Sequence, residues 1–129
     1  MVVLMLGLCV AVLMLGALSV DFWRVLSVRR SLAAMADASA TAGANGVDES
    51  ALRRGELALD PGRARSLASA ELSREHDARL VTNAEVDAGA TNVDVTLRGE
   101  VDVGFFALFG VHDAIPVQVH ATAAPRAIP

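Results

Sequence analysis

The spacing of apolar and polar positions changes character twice along this chain. Residues 1–20, MVVLMLGLCVAVLMLGALSV, are apolar throughout, with no charge and no proline. At 1.5 Å per residue such a helix reaches roughly 30 Å, the hydrocarbon thickness of a bilayer. Lipid offers backbone N–H and C=O groups no outside partner, so a helix is the expected spanning form. Asp21, Phe22, Trp23 and Arg24 follow, bringing the charge and the indole expected at a membrane–water interface. Residues 27–44, SVRRSLAAMADASATAGA, then adopt a helical period. Leu26, Leu32, Met35 and Ala36 share one face, with Arg29, Arg30 and Asp37 around it. The prediction is one continuous helix over 1–44: residues 1–23 span the membrane, and the rest enters a small domain over 24–129.

Gly43, Ala44, Asn45 and Gly46 read as a helix stop, with residues able to take positive φ. Asp48 reads as the N-cap of a short turn over 49–54 that Gly55 ends. Asp60 followed by Pro61 marks a second helix, over 61–78, with Ala64, Leu67, Ala68 and Leu72 on its buried side against the first. The period then drops to two. Strands are predicted over 79–86, 92–103 and 116–123. Val93, Val95, Leu97, Val101 and Val103 face inward, and Asp94, Thr96, Arg98, Glu100 and Asp102 face out. Gly99 reads as a bulge, because Leu97 and Val101 stay in phase across it. The expected fold is α+β: a long N-terminal helix and a second helix packed on a small three-stranded antiparallel sheet, a pilin-like shape. Residues 105–110, FFALFG, read as a helical turn covering the sheet edge or core. Phe105, Phe106 and Phe109 are either core packing or a contact patch for a partner.

The 53% apolar content is raised by the first twenty residues, so it overstates the remainder. All 15 acidic and 11 basic residues lie from Asp21 onward, and every basic one is arginine. A mildly acidic soluble part argues against a nucleic-acid partner. The single cysteine, Cys9, excludes an intrachain disulfide and reads as a small membrane-buried hydrophobe. A cleaved signal peptide is the competing reading of the N-terminus. Ala17, Leu18 and Ser19 make a passable small-x-small site, but the basic n-region is missing and the apolar run is long. A lipoprotein anchor at Cys9 is disfavoured by Leu8 before it. Arg24, Arg29 and Arg30 follow the span and nothing basic precedes it, so charge alone would place the domain in the cytoplasm.

Candidate chemistry is sparse. No nucleophile has a recognisable setting, and no glycine loop cradles a phosphate. The histidines are His76, His112 and His120; the runs Glu75-His76-Asp77 and His112-Asp113 bring acids beside two of them, but without zinc-enzyme or calcium-loop spacing. No enzyme activity, cofactor, metal or small-molecule substrate is expected. Asp37, among small apolar residues, needs Arg30, Arg63 or water. The small residues Gly7 and Ala11 in the span, with Ala33, Ala36, Ala40 and Ala44 beyond it, are the candidate helix-packing interface.

The run RRSLAAMADASATAGA over 29–44 resembles the segment after the membrane span in TadE/TadG-like proteins of bacterial tight-adherence (Flp-type) pilus systems. At the other end, the turn over 105–110, then Ile115, Pro116 and Val117, and the alternation of Ala121, Thr122 and Ala123, resemble that family's phenylalanine-glycine turn and closing strand. The resemblance implies a minor pilin-like membrane protein, inserted by secretion machinery, with its domain outside the cytoplasmic membrane or in a surface pilus. Its implied partners are the membrane, other pilin-like or membrane-platform subunits, and further copies of itself. Pilins commonly carry a Glu just inside the span; residues 1–20 hold no carboxylate and no prepilin peptidase site, which argues against a major subunit. A leader upstream would reconcile this orientation with the arginines. The alternative function is an exported binding domain with a cleaved signal, using the phenylalanine turn as its contact surface.

Overall fold

The computed structural model describes residues 1–75, 77–102, 104 and 114–126. Helix α1, Val2–Ala44, runs unbroken for 43 residues. Its end departs from expectation. Asn45 caps it in the right-handed region (φ −80°); its N–H donates to the Ala42 carbonyl at 3.2 Å, and the Gly46 N–H donates to that of Gly43 at 2.9 Å. Among the described residues only Gly55 takes a positive φ, at +80°, and it does so after the next helix. Gly43 and Gly46 serve close approach instead. A Cβ on Gly46 would lie 2.7 Å from the backbone nitrogen of Ala64. One on Gly43 would meet Val93 Cγ1 at 3.0 Å and the Ala64 carbonyl at 3.1 Å.

The two short-range caps form as their sequences dictate. The Asp48 carboxylate accepts from Ser50 N at 2.7 Å and Ala51 N at 3.3 Å, opening α2, Glu49–Arg53. Asp60 accepts from Gly62 N at 2.9 Å and Arg63 N at 3.1 Å, opening α3, Pro61–Arg74. Helix α3 stops at Arg74 rather than at 78. Glu75 turns extended (φ −68°, ψ 136°), and a 3₁₀ turn, Ala78–Leu80, leads into the sheet. Ser31, in the second half of α1, holds that connection by a hydrogen bond to the Asp77 carboxylate.

Strands β1 (Val81–Ala88), β2 (Val93–Val101) and β3 (Ile115–Ala123) form one antiparallel sheet in the order β1-β2-β3. Val93, Val95, Leu97 and Val101 point to the core, joined by Val117, Val119 and Ala121. The irregularity expected at Gly99 lies on the opposite strand. β2 pairs continuously with β3 through Gly99 and Val117, whereas β1 shifts register between Val81 and Asn83. Gly99 faces inward at the bulge, where a Cβ would stand 2.5 Å from the Leu80 carbonyl and 2.9 Å from Leu32 Cδ1.

Both long helices cover the same sheet face. α1 lies over β2 and β3, and α3 lies beside it toward β1. The core joins Leu32, Met35, Ala36 and Ala40 of α1 to Ala64 and Ala68 of α3 and the inward strand residues. Alanine at the facing positions lets the helices lie close together and on the sheet. Leu32, Val93, Val95 and Leu97 fill the space that remains. Each such side chain contributes about 1.5–3 kcal/mol of burial. The loop between α1 and α3 is tied down by a bridge between Val47 and Leu59, and Leu59 N donates to Ala90 O at 2.8 Å. The expected helical turn over 105–110 and the inward Val103 lie outside the described residues.

Candidate membrane segment and packing surfaces

Among the described residues, none packs on the opening stretch of α1, up to residue 16. Every residue from 1 to 16 is exposed, and no atom would meet a Cβ placed on Gly7 or Gly16. A water-facing surface of Val, Leu and Met of that size is unfavourable, while in lipid it costs nothing. Length and apolarity are sufficient for α1 to cross a membrane. The one hydroxyl in the second half of this apolar run is satisfied internally: Ser19 Oγ donates to Leu15 O at 2.9 Å. At the end of the run Phe22 and Trp23 are exposed, the latter at 65%. Arg30 places its guanidinium 6.0 Å from the Trp23 ring, a cation–π contact just beyond the apolar run. Asp21 departs from the interfacial reading: only 6% of it is accessible.

The candidate helix-packing residues separate into two groups. Gly7 and Ala11 are exposed and open to a neighbouring helix. Ala36, Ala40 and Ala44 are buried in the chain's own core, and Ala33 is half-buried against it. The reason is phase: these alanines share the face of Leu32 and Met35, which the sheet and α3 already occupy. The outward face of the same stretch is Ser27, Arg30, Ala34, Asp37 and Thr41, all exposed. Asp37 faces water, and Arg63, its possible partner, instead pairs with Glu49 at 3.3 Å.

On the domain, two further features stand out. A groove of about 500 Å³ opens between α3 and the edge strand β1, lined by Leu72, Val81, Ala84 and Val86 with Arg65 and Ser69. Arg65 reaches across its rim to Val86 O at 3.4 Å and Asp87 at 3.9 Å, occupying part of the free strand edge. On the opposite, solvent-facing side of the sheet, His120 stands among Thr96, Thr122 and Asp94. Its Nδ1 is 3.1 Å from Thr96 Oγ1, and its Nε2 is 3.1 Å from Thr122 Oγ1 and 3.5 Å from Asp94. The contacts of His120 with Thr96 and Asp94 cross from β3 to β2 and stabilise a wet sheet face. Among the described residues no three His, Cys, Asp or Glu side chains stand together as metal ligands would. Phe105, Phe106, Phe109, His76 and His112 lie outside the described residues. Comparison with protein-family models, with curated proteins and with solved structures returns no match.

Proposed function

We propose that this chain is a minor pilin-like structural or assembly subunit of a Tad/Flp-type pilus or a related secretion apparatus. One observation supports the reading above the others: a single 43-residue helix is bare and apolar up to residue 16 and contributes to the core of an α+β domain in its second half. A rod of that kind anchors a domain at a fixed height above a membrane and leaves Gly7 and Ala11 free to meet another span. In this reading the protein is single-pass, its domain is extracytoplasmic, and it acts through packing rather than catalysis.

Protease treatment of intact spheroplasts, followed by blotting for the domain, tests it. The expected result is loss of the domain with a membrane-retained stub, while a cytoplasmic control protein survives. Full protection until lysis overturns the reading. The second reading, an exported binding domain, draws on the fact that every core residue lies beyond Ser19. Cleavage between residues 17 and 20 would leave the fold intact. A mature N-terminus at Val20 would decide for it.

A further inference from the structure

We propose that Arg24, Arg29 and Arg30 form a collar that gathers anionic phospholipid headgroups around the helix where it leaves the bilayer. The inference rests on the membrane-spanning reading of α1. At 100° per residue the three arginines fall roughly 120° apart around the helix axis, so they encircle it instead of marking one side. A protein partner approaches from one side; lipid surrounds. All three are exposed, and none forms an ion pair among the described residues. Among the described residues, their one ring contact is that of Arg30 on Trp23.

Height agrees with this. Arg24 lies about 6 Å beyond Val20 along the axis, within a headgroup layer some 5–8 Å thick on each side. Arg29 and Arg30 start about 15 Å out. Helical side chains lean toward the N-terminus, which here is the membrane side, and long arginine stems extend that reach. Arg30 does so: its guanidinium returns to the ring of Trp23, seven residues back toward the bilayer.

Charge completes the case. Residues 1–30 carry three arginines and one acid, Asp21, whereas residues 31–129 carry eight arginines and fourteen acids. An anionic surface therefore attracts the collar and repels the domain, holding the domain upright over the membrane.

Trp23, the only tryptophan, reports on its own lipid neighbours. The full chain is reconstituted into phosphatidylcholine vesicles containing a minority of phosphatidylglycerol. Either the phosphatidylglycerol or an equal mole fraction of the phosphatidylcholine is brominated, and flotation is measured on the same samples. The expected result is about twofold stronger quenching by brominated phosphatidylglycerol, abolished by high salt and by combined Arg24→Gln, Arg29→Gln and Arg30→Gln. The corresponding lysine replacements keep the preference. Equal quenching by the two lipids in a chain that floats with the vesicles overturns the collar and leaves the span standing. A preference that survives both high salt and the glutamine replacements also overturns it. Failure to float overturns collar and span together.

Discussion

The hydroxyl of Ser39 donates to the carbonyl oxygen of Ala68 across 2.7 Å, with both residues fully buried. It is a polar cross-link between α1 and α3 inside an otherwise apolar core. Ser39→Ala keeps the volume nearly unchanged and removes the donor. The expected loss is about 1 kcal/mol of domain stability. Urea titration of the full chain in detergent, followed by hydrogen exchange in β2, measures it.

Gly46 and Gly99 test close approach. An added methyl on Gly46 meets Ala64 backbone, and one on Gly99 meets the Leu80 carbonyl. Backbone cannot swing aside as a side chain can. Gly46→Ala and Gly99→Ala are each expected to cost about 1–3 kcal/mol. Gly7→Ala and Gly16→Ala, with nothing in range, should leave domain unfolding unchanged in the same titration.

Ala40 and Ala34 separate folding from assembly. Ala40 is 1% exposed in the core, so Ala40→Leu is expected to overpack it and lower stability by about 1–3 kcal/mol. Ala34 faces outward. Ala34→Leu should unfold within about 0.5 kcal/mol of the parent chain. A piliation or cross-linking defect in Ala34→Leu with unchanged protease resistance would locate a lateral contact on that face. Weak protease resistance in Ala34→Leu would mean that this position is packed rather than exposed.

The Ser50 hydroxyl, then the backbone N–H groups of Ser50 and Ala51, hold the Asp48 carboxyl below its ordinary range. A depressed acid contributes stability that is fully present above the unfolded value, near pH 4, and fades as pH falls through the lower folded value. Hydrogen exchange at Ser50 and Ala51 should thus be steady from neutral pH to about pH 4 after correction for intrinsic rates, then quicken below it. Asp48→Ala should show the fast exchange at every pH. A step near neutrality would rule out this cap as the cause.

Much of this architecture was legible in the residues. Helix α1 is continuous because proline is absent and no glycine interrupts it between Gly16 and Gly43. Asp48 and Asp60 announce their helices, and the strict alternation in β2 and β3 reports one buried face. What failed was anything set by a distant partner. Gly43 and Gly46 look like a turn signal, yet Ala64 and Val93 are the reason for them. The bulge near Gly99 belongs to β1, whose own residues carry no sign of it. Glu75 and Asp77 suit a helix as well as its end, so the stop at Arg74 is invisible locally. The alanines at 36, 40 and 44 advertise close packing without saying against what. Only their phase with Leu32 relative to the sheet assigns them to the interior. Likewise, nothing in the pattern foretold that Asp21 would be buried.

The second half of α1 is made early, but the sheet it needs is made late. Leu32, Met35, Ala36 and Ala40 find their full surroundings only when β3, the last strand in chain order, has joined β2. The core thus stays unclosed until residues near 120 have reached the helix. Closure then buries the inward side chains of both strands at once, and reopening the core would require breaking the sheet. Built this way, the domain is closed by its own last strand: the face of the helix waits, and the end of the chain completes it.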